Sequence, residues 1–91
     1  MKHTITILGS TGSIGLTTIN IVKRNQKNFN IVLLSTNNNV DKIFKQAKSF
    51  NVKNVIVTNR TKFLKWKNKF KKNNINLFNN FNCFDKIFKK K

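Results

Sequence analysis

Apolar and polar positions alternate along the chain in two different periods. Four short runs are apolar throughout or apolar at every second position, which is typical of β-strands. These runs are residues 4–8, 30–35, 54–58 and 74–78. The intervals between them have the 3.6-residue period of helices that bury one face. The predicted helices run from Ser13 to about Arg24, from Val40 to Phe50, and onward from Asn59.

Each predicted helix has an apolar face, and the lysines lie mostly on the opposite face. The first face is formed by Ile14, Thr18, Ile21 and Val22, and the second by Val40, Ile43, Phe44, Ala47 and Phe50. The third face is formed by Phe63, Trp66 and Phe70, and the tail repeats the spacing with Phe81, Phe84 and Phe88. Strands that alternate with helices predict an α/β fold, a parallel sheet with crossover helices. We expect about four strands and four helices.

Three glycines interrupt this pattern between the first strand and the first helix, in the stretch "TILGSTGSIGLTTINIV". We expect Gly9 to make the turn out of the strand, Gly12 to let an anion approach the backbone, and Gly15 to let the helix pack closely. A helix N-terminus presents unpaired N–H groups and the positive end of the helix dipole. The hydroxyls of Ser10, Thr11 and Ser13 are further candidate donors. The stretch therefore predicts a dinucleotide phosphate site.

Two alternatives were compared with this interpretation. A nucleotide-binding loop of the G-x-x-x-x-G-K-[ST] type requires a lysine that this stretch lacks, and a turn that only connects strand and helix does not need three spaced glycines. The second strand ends "LLSTNNNV", without the acidic residue that holds the ribose 2′-hydroxyl in NAD-binding proteins. This absence favours NADP over NAD. Candidate donors to a 2′-phosphate are Ser35, Thr36, Asn37, Asn38 and Asn39.

The combination of "ILGSTGSIG", a following helix and "FNIVLLS…NV…Q…F…V" resembles the N-terminal part of the 1-deoxy-D-xylulose 5-phosphate reductoisomerases. The similarity covers about residues 4–58, including Gln46. It implies an incomplete Rossmann-like fold and contacts from Thr11, Gly12, Ser13 and Ile14 to the phosphates and ribose of NADPH. Where the family has a small residue, then Lys or Arg, then Asn, this chain has Asn37, Asn38 and Asn39. Because no basic residue stands at 38, NADH remains an alternative cofactor.

The resemblance also implies how the chain is organised and with what it works. Residues 1–91 are expected to form a partial NADPH-binding domain, with the catalytic, metal-binding and C-terminal domains absent. In the family, those parts bind a divalent metal, Mn or Mg, and the sugar phosphate, and the enzyme is a homodimer. Asp41 and Asp85, the two acidic residues, form no cluster suited to a hard cation. We therefore expect the 91 residues alone not to catalyse the reaction.

The net charge of +17 leaves two other functions open. A basic protein with Trp66 between lysines, in "KFLKWKNKFKK", is a candidate nucleic-acid-binding module. The alternative is a helix that buries its aromatic side chains and keeps its lysines in water, in a composition rich in residues with AT-rich codons. A semialdehyde-dehydrogenase-like fragment would share the fold and cofactor but not the substrate.

The remaining features narrow the setting. No apolar run is long enough for a membrane span, and no signal peptide is evident. A single cysteine, Cys83, allows no internal disulfide and is expected to be a small buried side chain. His3 has no partner nearby in the sequence, so no role is predicted for it. These observations predict a reducing compartment, the cytoplasm or a plastid stroma.

Overall fold

The computed structural model describes residues 3–83. In this range four strands alternate with three α-helices, as the apolar pattern predicts. In chain order the elements are β1 (His3–Ile7), α1 (Ser13–Arg24), β2 (Phe29–Thr36), α2 (Val40–Phe50), β3 (Asn54–Val57), α3 (Arg60–Lys72) and β4 (Asn76–Phe78), followed by a 3₁₀ turn (Phe81–Cys83). Most of the predicted tail helix, including Phe84 and Phe88, lies outside the described residues.

The four strands form one parallel sheet in the order β1-β2-β3-β4. Because each strand lies next to its successor, right-handed crossovers place all three helices on the same face of the sheet. One core cluster accordingly joins the strands to all three helices, through side chains such as Ile19, Ile43 and Phe70. A smaller cluster contains Leu33, Ile56 and Cys83. The fold is an incomplete Rossmann-like α/β fold, and Cys83 is buried as predicted.

An irregularity in β2 explains why its sequence is apolar throughout. Ile5 of β1 pairs with Ile31 while the next residue, Thr6, pairs with Leu33, so Val32 is an extra residue on β2. Such a bulge turns two successive side chains towards the same side of the sheet. Ile31 therefore joins the core under the helices, whereas Val32 and Leu33 belong to the smaller cluster.

The buried face of α1 differs from the predicted one. Val22 is buried as expected, but Ile14 is 85% exposed and Ile21 is 49% exposed. The helix instead buries Gly15, Ile19 and Val22. The reason is that Gly15 must face the β1–α1 turn, and this contact rotates the two isoleucines towards the solvent.

Candidate functional site

The turn between β1 and α1 depends on two glycines for different reasons. Gly9 has a φ of +67°, in the left-handed region that side chains disfavour. Gly15 lies against the turn itself: a Cβ there would be 2.6 Å from the Cα of Ser10 and would overlap the carbonyl oxygen of Gly9. A Cβ at Gly12 would meet only that same oxygen, at 3.6 Å, which is an ordinary contact. Gly12 is therefore dispensable for folding and is available to a ligand.

Three amides of the turn are used within the protein. The amide of Gly9 donates to the Ser35 hydroxyl oxygen at 3.0 Å, and that of Ser10 donates to the Ser35 carbonyl oxygen at 2.9 Å. The amide of Gly12 donates to the carbonyl oxygen of Gly9 at 3.0 Å. These bonds fix the turn to the carboxyl end of β2.

The amides that follow are open. The helical pattern of α1 begins with the Leu16 amide, which donates to the carbonyl oxygen of Gly12, and Gly12 provides no side-chain cap. Within residues 3–83 no acceptor binds the other N–H groups of this bend, those of Thr11, Ser13, Ile14 and Gly15. A helix N-terminus with free amides and a positive dipole end is suited to an anion such as a phosphate.

Buried side chains hold the turn from below. Ser10 is fully buried, and its hydroxyl donates to Oε1 of Gln46 at 2.7 Å. The amide Nε2 of Gln46 in turn donates to the carbonyl oxygen of Ser10 at 3.0 Å. The expectation that the Ser10 hydroxyl contacts a ligand is therefore wrong, since it is paired inside the protein. Ser35 is likewise buried and accepts from Gly9, so it does not face a 2′-phosphate either.

The role of Gln46 was not predicted from the sequence. A signal was present, because position 46 falls on the apolar face of α2 beside Ile43 and Ala47, and all three residues are buried there. A polar side chain on such a face needs a partner within the protein. Gln46 found that partner in the turn, 36 positions earlier in the chain.

The asparagines after β2 lie beside the turn. The hydroxyl oxygens of Thr11 and Thr36 are 2.8 Å apart, which joins the two loops. Asn37, Asn38 and Asn39 follow and are exposed. The backbone amide of Asn39 lies 3.4 Å from the Thr36 hydroxyl oxygen, and its side chain makes no capping bond to α2. The structure thus brings the glycine turn and the three asparagines to one edge of the sheet, although their contact with a dinucleotide stays a prediction.

The lysine-rich helix α3 has a different construction. Phe63 and Trp66 pack against the core, and Phe70 is fully buried, as predicted. The ammonium of Lys69 lies 4.9 Å from the centroid of the Trp66 ring and 5.0 Å from that of Phe44. The aromatic side chains are thus occupied by packing and by a cation rather than presented as a row of free stacking faces.

Other candidate features carry no site in the part of the chain that is described. Between residues 3 and 83 no group of three His, Cys, Asp or Glu side chains is placed to hold a metal ion. His3 is exposed and its ring centroid lies 6.0 Å from that of Phe29. None of the helices in this range has the length and apolarity needed to cross a membrane.

Comparison with known proteins gives a consistent family. The family model described as 1-deoxy-D-xylulose 5-phosphate reductoisomerase matches residues 5–89. A reductoisomerase of Pelagibacter ubique is 51% identical over 84 residues, which are 92% of this chain and 22% of the relative. One of Porphyromonas gingivalis is 44% identical over 63 residues, 69% of this chain and 16% of the relative. The chain therefore spans about a fifth of the length of the relatives it matches.

Solved structures agree. The reductoisomerase of Zymomonas mobilis in complex with NADPH superposes with a TM-score of 0.79 at 27% identity, covering 86% of this chain and 21% of that one. A second reductoisomerase, in complex with NADPH, fosmidomycin and magnesium, shares the fold with a TM-score of 0.82 at 21% identity, covering 96% and 21%. The resemblance inferred from the glycine stretch is confirmed, and the semialdehyde-dehydrogenase alternative is not supported. The chain belongs to the 1-deoxy-D-xylulose 5-phosphate reductoisomerase family.

Proposed function

We propose that residues 1–91 form the NADPH-binding part of a 1-deoxy-D-xylulose 5-phosphate reductoisomerase. The observation that carries the proposal is the open amide cluster at the N-terminus of α1, next to a glycine that the fold itself does not require. A diphosphate placed there would accept hydrogen bonds from the amides of Ser13, Ile14 and Gly15 and would lie at the positive end of the helix dipole. The bound cofactor would supply the hydride for reduction.

The adjacent residues would hold the rest of the nucleotide. Thr11 lies between the open amides and Thr36, so its backbone N–H is a further donor to the diphosphate. The side chains of Asn37, Asn38 and Asn39 would donate to the 2′-phosphate, as neutral substitutes for the family's basic residue. Ile14, 85% exposed, would cover an apolar part of the cofactor, because large apolar side chains with so much exposure favour a partner.

The complete reaction needs more than these residues. The family's isomerisation and reduction of the sugar phosphate to 2-C-methyl-D-erythritol 4-phosphate involves a divalent metal, and Asp41 is the one acidic side chain between residues 3 and 83. We assign no metal chemistry to that range, and we expect the 91 residues alone to bind NADPH without turnover. β1 is an edge of the described sheet, beside the exposed Leu8, which is compatible with a partial domain. The homodimer and the reducing compartment, cytoplasm or plastid stroma, belong to the same proposal.

Substitution of Gly12 by alanine tests the diphosphate site. The new methyl group has room within the protein but lies on the path of the anion, so we expect an unchanged midpoint of urea unfolding and at least about tenfold weaker NADPH binding by calorimetry, equivalent to about 1.4 kcal/mol. Thr17→Ala, one turn further along the exposed side of α1, is the matched control and should bind as the wild type does. If Gly12→Ala binds NADPH with wild-type affinity, the diphosphate does not lie on these amides.

A further inference from the structure

Two turns at the same edge of the sheet are tied together by side-chain hydrogen bonds. After β3, Thr58 and Asn59 lead into α3, and both are bonded to asparagines that follow β2. The Thr58 hydroxyl bonds to Oδ1 of Asn37 at 2.8 Å, and Nδ2 of Asn59 donates to Oδ1 of Asn38 at 2.8 Å. The backbone supports the same arrangement, since the Asn59 amide donates to the carbonyl oxygen of Asn37 at 3.1 Å.

The bond between the two amide side chains has a direction that the protein fixes. Asn59 is the N-cap of α3, and its Oδ1 accepts from the backbone amide of Lys62 at 3.0 Å. A backbone N–H can only donate, so the atom facing it must be the oxygen of Asn59. The other end of that side chain is then the NH₂ group, a donor, and Asn38 must present its oxygen to it. Through this relay a helix cap determines the orientation of Asn38.

The orientation matters for an anion. With its oxygen engaged by Asn59, Asn38 is left with an NH₂ group, which has no partner within the described residues. A phosphate offers only acceptors, so it is bound by the NH₂ end of an asparagine and repelled by the oxygen end. A lysine or arginine has no such ambiguity, because every polar atom at its tip is a donor. A neutral amide can replace the cation only if its orientation is controlled.

We propose that Asn59 is a positioning residue for cofactor specificity: it holds Asn38 with its NH₂ group available to the 2′-phosphate of NADPH. This inference rests on the proposed function. It assigns a part in recognition to the β3–α3 turn, which lies outside the glycine stretch and outside the residues that follow β2. Thr58 does not have the same effect on Asn37, because a hydroxyl can donate or accept and therefore fixes neither orientation.

The variant Asn59→Asp tests the relay without removing the helix cap. Aspartate is as good an N-cap as asparagine, so Lys62 keeps its acceptor and α3 stays formed. Aspartate has no NH₂ group, and Asn38 must then turn its own NH₂ group towards the carboxylate and its oxygen towards the cofactor. We expect calorimetry to give at least about a tenfold fall in the preference for NADPH over NADH, the range for losing one hydrogen bond to a charged group. The affinity for NADH should change by less than about threefold.

The new carboxylate also repels a phosphate directly, and a double-mutant cycle separates the two effects. In an Asn38→Ala background, Asn59→Asp retains its charge but has no amide to turn. If Asn59 acts through Asn38, the same change should lower the preference for NADPH by less than about threefold there. Asn68→Asp, which places the same charge on an exposed part of α3, should leave the preference unchanged in either background.

The outcomes distinguish this inference from the function on which it rests. An equal fall in preference with and without Asn38 would mean that charge alone acts, and would overturn the relay. An unchanged preference in Asn59→Asp, with NADPH still bound, would overturn the relay and leave the proposed function standing. If the wild-type chain binds neither NADPH nor NADH, both fail together.

Discussion

The glycine turn and the outer surface of α3 are both polar, but they are built in opposite ways. Around the turn, polar side chains are buried and each has a specific partner: Ser10 with Gln46, and Ser35 with Gly9. On α3 the charged side chains are exposed, and the helix contributes six lysines and an arginine without an acidic residue among them. Their clearest common contact, that of Lys69 with two aromatic rings, is a packing interaction.

The difference shows which kind of polar group carries information about function. A buried donor or acceptor that lacks a partner costs about 1–3 kcal/mol, so its position is specified closely. An exposed lysine is tolerated almost anywhere, and its electrostatic effect is screened over about 10 Å at 0.1 M salt. The net charge of +17 therefore creates a general field, whereas the hydrogen bonds around the turn define a place for one anion.

The largest effect is expected at Gly15. Alanine there would place its Cβ within 2.6 Å of the Ser10 Cα, and neither the turn nor α1 can move away without breaking the bonds to Ser35. We expect Gly15→Ala to lower the free energy of unfolding by about 3 kcal/mol or more, the upper range for overpacking a tight site. Urea unfolding followed by the fluorescence of Trp66, the single tryptophan, measures it.

Gly12→Ala is the control for that experiment, because its methyl group meets only an ordinary contact. Its free energy of unfolding should stay within about 0.5 kcal/mol of the wild type. Equal losses at positions 12 and 15 would mean that α1 does not pack against the turn in the way described.

A smaller loss is expected at Gln46, which connects α2 to the turn. Gln46→Leu preserves the size of the side chain but leaves the hydroxyl and the carbonyl oxygen of Ser10 buried without their partner. We expect a loss of about 2 kcal/mol in the free energy of unfolding, together with faster hydrogen exchange of the Gly9 and Ser10 amides.

Gln26→Leu provides a matched control for the chemical change, since Gln26 is exposed after α1. It should alter neither stability by more than about 0.5 kcal/mol nor the exchange of the turn. If Gln46→Leu behaves like this control, the buried bonds do not hold the turn.

The sequence predicted local features better than the distant pairings. Glycine spacing and apolar period depend on neighbouring residues, so the elements and the open helix N-terminus were predictable. The functions of Ser10 and Ser35 were wrongly predicted because a hydroxyl beside a glycine turn looks the same whether it faces a ligand or a buried glutamine. That distinction depends on Gln46, which is 36 positions away from Ser10, and no local pattern connects the two. Similarly, the exposure of Ile14 follows from the tight contact at Gly15 rather than from helical period.

The smallest effect distinguishes two lysines on α3. The Lys69 ammonium lies over the rings of Phe44 and Trp66, whereas Lys65 has no hydrogen bond or ring contact within residues 3–83. Lys69→Gln removes a cation–π contact and should lower the free energy of unfolding by about 0.5 kcal/mol. Lys65→Gln removes only repulsion from a chain of high positive charge and should leave stability equal or slightly higher. Urea unfolding at low salt compares them, and an identical shift for both variants would mean that α3 acts only through its total charge.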